Sequence, residues 1–181
     1  EGRGESWGGR GKTVLPPPAG RNRRHVGTQL STLVDHYRGD KPALDLLEDC
    51  DAEVSGEPLI GTLSDAGYHL LRRTHTREDE TYCVISIYFE KQVFARHEAE
   101  FRTQLALPVL VDSDDINVAQ ARQSLTIGKC DFDTAGLLGL AVGDPVVEVR
   151  RVICDARDQV IYIADVTYRS DFVRLEMDLL S

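Results

Sequence analysis

Val146-Val147-Glu148-Val149-Arg150-Arg151-Val152-Ile153-Cys154, the turn Ala156-Arg157-Asp158-Gln159 and the run from Val160-Ile161-Tyr162-Ile163 to Ala164-Asp165-Val166-Thr167-Tyr168-Arg169 decide the fold. Apolar and charged residues alternate in the first run as far as Val152. Both runs are rich in β-branched and aromatic residues, and the polar turn between them is short, so they predict a long antiparallel hairpin. A second hairpin is legible upstream, in residues 68–76 and 81–89, with Arg77-Glu78-Asp79-Glu80 as the polar connection. Alternation along 81–89 puts Tyr82, Val84, Ser86 and Tyr88 on one face and Cys83, Ile85, Ile87 and Phe89 on the other. The second face is wholly apolar. The first mixes hydroxyls with apolar groups, as in a sheet that has a polar pocket on one side.

Around these hairpins the pattern is mixed. Val26, Leu30, Leu33, Val34 and Tyr37 recur at helical spacing, and Val93, Phe94, Phe101 and Leu105 predict helix over 90–105. Residues 116–128 are β-prone, with the alternating stretch Gln123-Ser124-Leu125-Thr126-Ile127. Asp131 or Asp133 is placed to cap a following helix that ends by Gly143 and Pro145. Residues 44–65 carry a short apolar patch among acids and give only a weak assignment.

The 181 residues carry a net charge of −9, which argues against a nucleic-acid-binding surface spread over the whole chain. The charge is unevenly placed. Residues 1–24 hold Arg3, Arg10, Lys12, Arg21, Arg23 and Arg24 against Glu1 and Glu5, a local +4, which leaves −13 for the rest. This leader also has six of the 15 glycines and the run Pro16-Pro17-Pro18, the composition of an extended linker. No apolar run reaches the ~18 residues of a membrane span, and no signal-peptide core opens the chain, so a cytoplasmic protein is expected. Cys50, Cys83, Cys130 and Cys154 are far apart in sequence and lack finger spacing; they read as reduced, mostly buried thiols, with no metal or cofactor expected.

No phosphate-binding loop, dinucleotide fingerprint, nucleophile elbow or zinc-protease motif is present, and no catalytic residue is assigned. Asp112, Asp114 and Asp115 lack the spacing of a calcium loop and read as a solvated acidic loop. Arg73, His75 and Arg77 share one face of the leading strand of the first hairpin. Guanidinium and imidazole groups there suit an anion, because arginine offers a planar fork of donors; the alternative is an exposed face paired with Glu78, Asp79 and Glu80. Tyr168 and Arg169, at the end of the last strand, either reach over a pocket mouth or serve the core.

Gln123-Ser124-Leu125-Thr126, the helix over 135–140, Gly143-Asp144-Pro145-Val146, Val149-Arg150-Arg151-Val152, the turn near Asp158 and Tyr168-Arg169-Ser170-Asp171 stand in an order that resembles the UTRA domain. That is the effector-binding domain of GntR-type transcription regulators of the HutC subfamily. Gly9-Arg10-Gly11-Lys12-Thr13-Val14 is similar to the end of the wing in their winged helix-turn-helix. The resemblance implies an α+β, chorismate-lyase-like antiparallel sheet flanked by helices. Residues 1–24 are expected to be the end of the wing and the linker, and residues 25–181 the UTRA domain.

It further implies a ligand-sensing domain of a probable repressor that responds to a small organic acid or phosphorylated metabolite. The expected partners are a second copy of the chain, as a homodimer, and operator DNA, bound through a winged helix-turn-helix absent from this sequence. Arg73 and His75 match the family's basic pair, and Tyr168 matches its tyrosine near the end of the last strand. Ser31 and Thr32 lie where other members cradle a phosphate or carboxylate. Ser86 is expected to join the site. The family's acidic residue falls at about Ile85, which argues against an amino-sugar effector. Rival readings are an enzyme of the chorismate lyase type and a stand-alone binding module.

Overall fold

In the computed structural model of the protein, residues 24–25 and 30–175 are described. Residues 1–23 of the leader, with its reading as wing end and linker, lie outside the described residues. The elements in chain order are β1 (Arg24–His25), α1 (Leu30–Arg38), β2 (Ala43–Ala52), β3 (Tyr68–Arg77), β4 (Glu80–Glu90), α2 (Lys91–Arg96), α3 (Glu98–Thr103) and α4 (Ala106–Asp112). They continue with β5 (Gln120–Lys129), α5 (Phe132–Leu138), β6 (Pro145–Cys154), β7 (Val160–Arg169), a 3-10 turn at Ser170–Phe172 and β8 (Val173–Arg174).

Both hairpins form as the sequence predicts, and they account for the middle of an antiparallel six-stranded sheet of order β2-β3-β4-β7-β6-β5. The β4–β7 pairing joins the two hairpins at the centre. The first turn is tighter than its four polar residues suggest. Arg77 pairs with Glu80, and Glu78 and Asp79 both take positive φ (50° and 63°), the combination that matches strand twist in a two-residue hairpin loop. A two-residue parallel ladder, β1 with β8, stands apart from the sheet.

β2, which the sequence assigns only weakly, is a ten-residue edge strand with a register shift between Leu46 and Glu48. Its acids find cationic neighbours: Glu48 meets Arg72 at 2.9 Å, Asp49 meets His69 at 2.6 Å and Arg102 at 2.7 Å, and Asp51 meets Lys91 at 2.7 Å. Such pairs suit an exposed edge, where charge also discourages pairing with other chains.

The single helix predicted over 90–105 is broken in two, at His97, and α4 follows where no helix is expected from the residue pattern. Pro108 is tolerated because it sits in the first turn of α4, whose N–H groups have no intrahelical acceptor. The Glu90 carboxylate accepts from the N–H groups of Gln92 and Val93 at 2.9 and 3.0 Å and so caps α2. These short helices cover one sheet face, where Phe89, Phe94, Phe101 and Tyr162 make an aromatic core with ring centres 4.2 to 6.2 Å apart. On the opposite face the segment 53–66 crosses the second hairpin, and Tyr68 Oη donates to the Val160 carbonyl at 2.8 Å.

Asp131 caps α5, accepting from Thr134 N–H at 2.7 Å, and α5 ends at Gly139, which takes the left-handed conformation (φ 64°) several residues before Gly143. This bond holds the Asp131 carboxyl below its usual pKa. A depressed folded-state pKa means a contribution that is present at neutral pH and lost as pH falls through the carboxylate range. Asp131→Ala is expected to cost about 1 kcal/mol in urea unfolding at pH 7, and the difference from the parent chain should shrink below pH 4.

Candidate functional site

A small cavity of about 10 Å³, roughly the space of one water, lies under the helices on the side of the sheet that carries the odd-numbered residues of β3, β4 and β6. Cys83, Ile85 and Ile87 of β4 form its apolar floor, and Leu105, Ala106 and Leu107, at the start of α4, form its lid. Five polar side chains come from the sheet: Arg73 and His75 on β3, Arg151 on β6 and Tyr162 and Tyr168 on β7. Tyr37, in the last turn of α1, closes it, with its hydroxyl 3.1 Å from that of Tyr168.

Arg73 is 1% exposed. Its Nη1 donates to the Phe101 carbonyl at 2.9 Å and its Nη2 to the Gln104 carbonyl at 3.0 Å, both at the C-terminal end of α3, while its buried Nε meets no acceptor. Carbonyls at a helix C-terminus favour a cation, but none is an anion. Burial pulls the Arg73 pKa below the usual guanidinium value, and the nearby Tyr162, Cys83 and Tyr82 only partly offset that.

Arg151, 3% exposed, donates through Nε and Nη2 to Gln123 Oε1 at 3.0 and 2.6 Å. Its guanidinium lies 5.9 Å from the ring centre of Tyr37. Burial works against its charge, but the surrounding hydroxyls of Tyr37, Tyr162 and Tyr168 outweigh that and raise its pKa. Burial likewise pushes the Tyr162 hydroxyl up. Among the described residues no Asp or Glu lines the cavity, so two buried cations face it without a carboxylate.

The residues expected at the site are only partly brought together. Arg73, His75 and Tyr168 share the cavity. Ser86 does not: it pairs with Arg72 and Asp165 on the opposite face. That face is bound by ion pairs, such as Arg150 to Asp165 at 3.0 Å, and the pocket is on the apolar side of β4. Ser31 lies exposed on the first turn of α1, and the side chain of Thr32 lies outside the described residues; it is Tyr37, at the other end of α1, that reaches the cavity. Arg77, at the end of β3, does not line the cavity; its guanidinium lies over the Tyr82 ring and pairs with Asp40. Arg151 is the residue that sequence reasoning missed. Its signal was a charge at an odd position, in register with Ala164 on an otherwise apolar face.

An open cleft of about 490 Å³ adjoins the cavity and shares Tyr37 and Leu105 with it, with Arg38 and Lys41 on its wall. Asp112 and Asp115 of the acidic loop are occupied by Arg38 (2.5 Å) and His97 (2.8 Å). Cys83, Cys130 and Cys154 are buried free thiols and Cys50 is an exposed one. Among the described residues no helix is long and apolar enough to cross a membrane.

No curated protein sequence matches the chain. Solved structures match its fold. The effector domain of PhnF from Mycobacterium smegmatis superposes with a TM-score of 0.70 at 17% identity, over 87% of this chain and all of that one. A GntR-family transcriptional regulator from Enterococcus faecalis gives 0.61 at 12% identity, over 75% of this chain and 99% of that one. YydK from Bacillus subtilis gives 0.62 at 14% identity over 76% of this chain, and the chain spans only 62% of YydK's length. The six-stranded antiparallel sheet flanked by helices is therefore the UTRA, chorismate-lyase-like fold of GntR regulator C-terminal domains. The UTRA domain model matches residues 59–174, well over half of the sequence, and the chain belongs to that family.

Proposed function

We propose that the chain is the ligand-sensing and dimerisation domain of a DNA-binding transcription regulator of the HutC subfamily. It would act as a cytoplasmic repressor whose winged helix-turn-helix precedes this segment, with no catalytic role. The effector is a small organic acid or phosphorylated metabolite contacted by Arg73, His75 and Tyr168. The observation that carries this reading is the small cavity with its buried guanidinium groups and, among the described residues, no acid on its wall. A lyase would need a catalytic carboxylate beside these arginines; among the described residues none lines the cavity, and Asp165 on β7 pairs with Arg150 instead.

A cavity of about 10 Å³ is closed to any metabolite, so the effector must select or induce a state in which the lid at Leu105–Leu107 has moved. The lid continues into α4, which Arg38–Asp112 ties to α1, and α1 leads back toward the leader. A ligand that binds the open state better shifts this chain of contacts by its difference in affinity alone.

Thermal-shift screening of an anionic metabolite panel tests the site. A hit should stabilise the parent chain by several degrees, and Arg73→Ala should abolish the shift. Tyr168→Phe should at least halve it, whereas Ser86→Ala, across the sheet, should leave it intact. A hit whose shift survives both Arg73→Ala and Tyr168→Phe binds elsewhere.

A further inference from the structure

We infer that the cavity takes a compact dianion, a phosphate monoester or short dicarboxylate, held between Arg73 and Arg151, and that Arg151 makes the site select two negative charges over one. The inference rests on the reading of the cavity as an effector site. It deepens that reading by assigning a second anion-binding residue.

The two arginines approach from opposite walls. Arg73 pairs with Ile85, Ile85 with Val166 and Val166 with Val149, two residues from Arg151 on the same face. Three strand spacings of about 4.8 Å separate their backbones, yet both side chains line one small cavity. A lone buried guanidinium is easily explained as a structural donor. Two of them, lining one cavity with no acid among the described residues, are costly to desolvate.

The partners they do have are neutral. The Phe101 and Gln104 carbonyls and the Gln123 amide oxygen satisfy N–H groups but leave the charge in place, and Arg73 Nε has no acceptor at all. Gln123 grips Arg151 through two nitrogens, which fixes the plane of its fork. A dianion neutralises both cations at once.

The test is calorimetric titration of the full chain at pH 8 and constant ionic strength. Inorganic phosphate, malonate and succinate serve as dianion probes and acetate as the monoanion. The parent chain should bind at least one dianion tenfold or more tighter than acetate, and whether phosphate or a dicarboxylate is preferred identifies the source of the charge. Arg151→Gln should bring that ratio to within threefold of unity; Arg151→Lys should retain part of the preference. A ratio unchanged in both variants overturns the role of Arg151 while Arg73→Ala can still abolish binding. Should the variants not fold, NMR titration of the parent chain labelled in its arginine Nε–H groups decides. Both buried guanidinium resonances should move with the dianion, and movement of only one overturns the inference. Failure of every anion to bind the parent chain would overturn the effector-site reading itself.

Discussion

Arg73→Ala is expected to destabilise the ligand-free chain by about 3 kcal/mol, and Arg73→Met by less than half as much. The alanine variant leaves a void where a fully buried side chain stood, and it strips the Phe101 and Gln104 carbonyls of their donors. Methionine fills most of the volume and removes a desolvated charge that has no carboxylate partner, a change that is often neutral or favourable for stability. Urea unfolding with the slope held common to all variants reads the difference. If methionine proves as damaging as alanine, the two hydrogen bonds to the end of α3 are what Arg73 is kept for. The expected ordering means that the charge itself contributes little to folding. Its retention in the core then makes sense through the anion it meets, and both variants should lose that anion.

The central sheet was legible because its strands announce themselves twice, by period-two alternation and by short polar turns. The 68–90 and 145–169 hairpins each close on contacts between residues near in sequence, so local pattern and final pairing agree. β2 was not legible: its acids oppose strand propensity, and their stabilising partners, Arg72, Arg102 and Lys91, come from later elements. The break between α2 and α3 and the appearance of α4 are set in the same way by packing over the sheet, which no local window contains.

At the site, period-two arithmetic placed Arg73 and His75 together correctly, and the resemblance added Tyr168. Arg77 falls outside the cavity for want of reach: at the end of β3 it lies over the Tyr82 ring and pairs with Asp40. Ser86 failed for a different reason. A hydroxyl on a mixed face looked like a pocket residue, but the polar face of this sheet is spent on ion pairs, and the pocket lies on the side whose β4 residues are all apolar. An arginine at an inward position, as Arg151 shows, is the stronger signal, since a buried charge is costly unless something meets it.

The largest effect on the fold is expected from Phe101→Ala, at about 3–5 kcal/mol out of the ~5–15 kcal/mol that holds a domain together. Phe101 is wholly buried, its ring lies 4.2 Å from that of Phe89 and 6.2 Å from that of Phe94, and its carbonyl holds Arg73. It therefore anchors α3 to the sheet and sets the height of the cover over the cavity. Short helices such as α3, six residues long, are marginal by themselves and stand only by packing. Loss of the ring should lower the melting temperature by roughly 10 °C for a chain of this size and speed amide exchange along residues 98–107 more than in β4 or β7. A drop of under about 2 °C would mean that α3 is not the packed cover described here. If instead the helices loosen while the sheet persists, Phe101→Ala should also bind dianions with an altered preference, because the carbonyl that competes with the ligand for Arg73 is then no longer fixed in place.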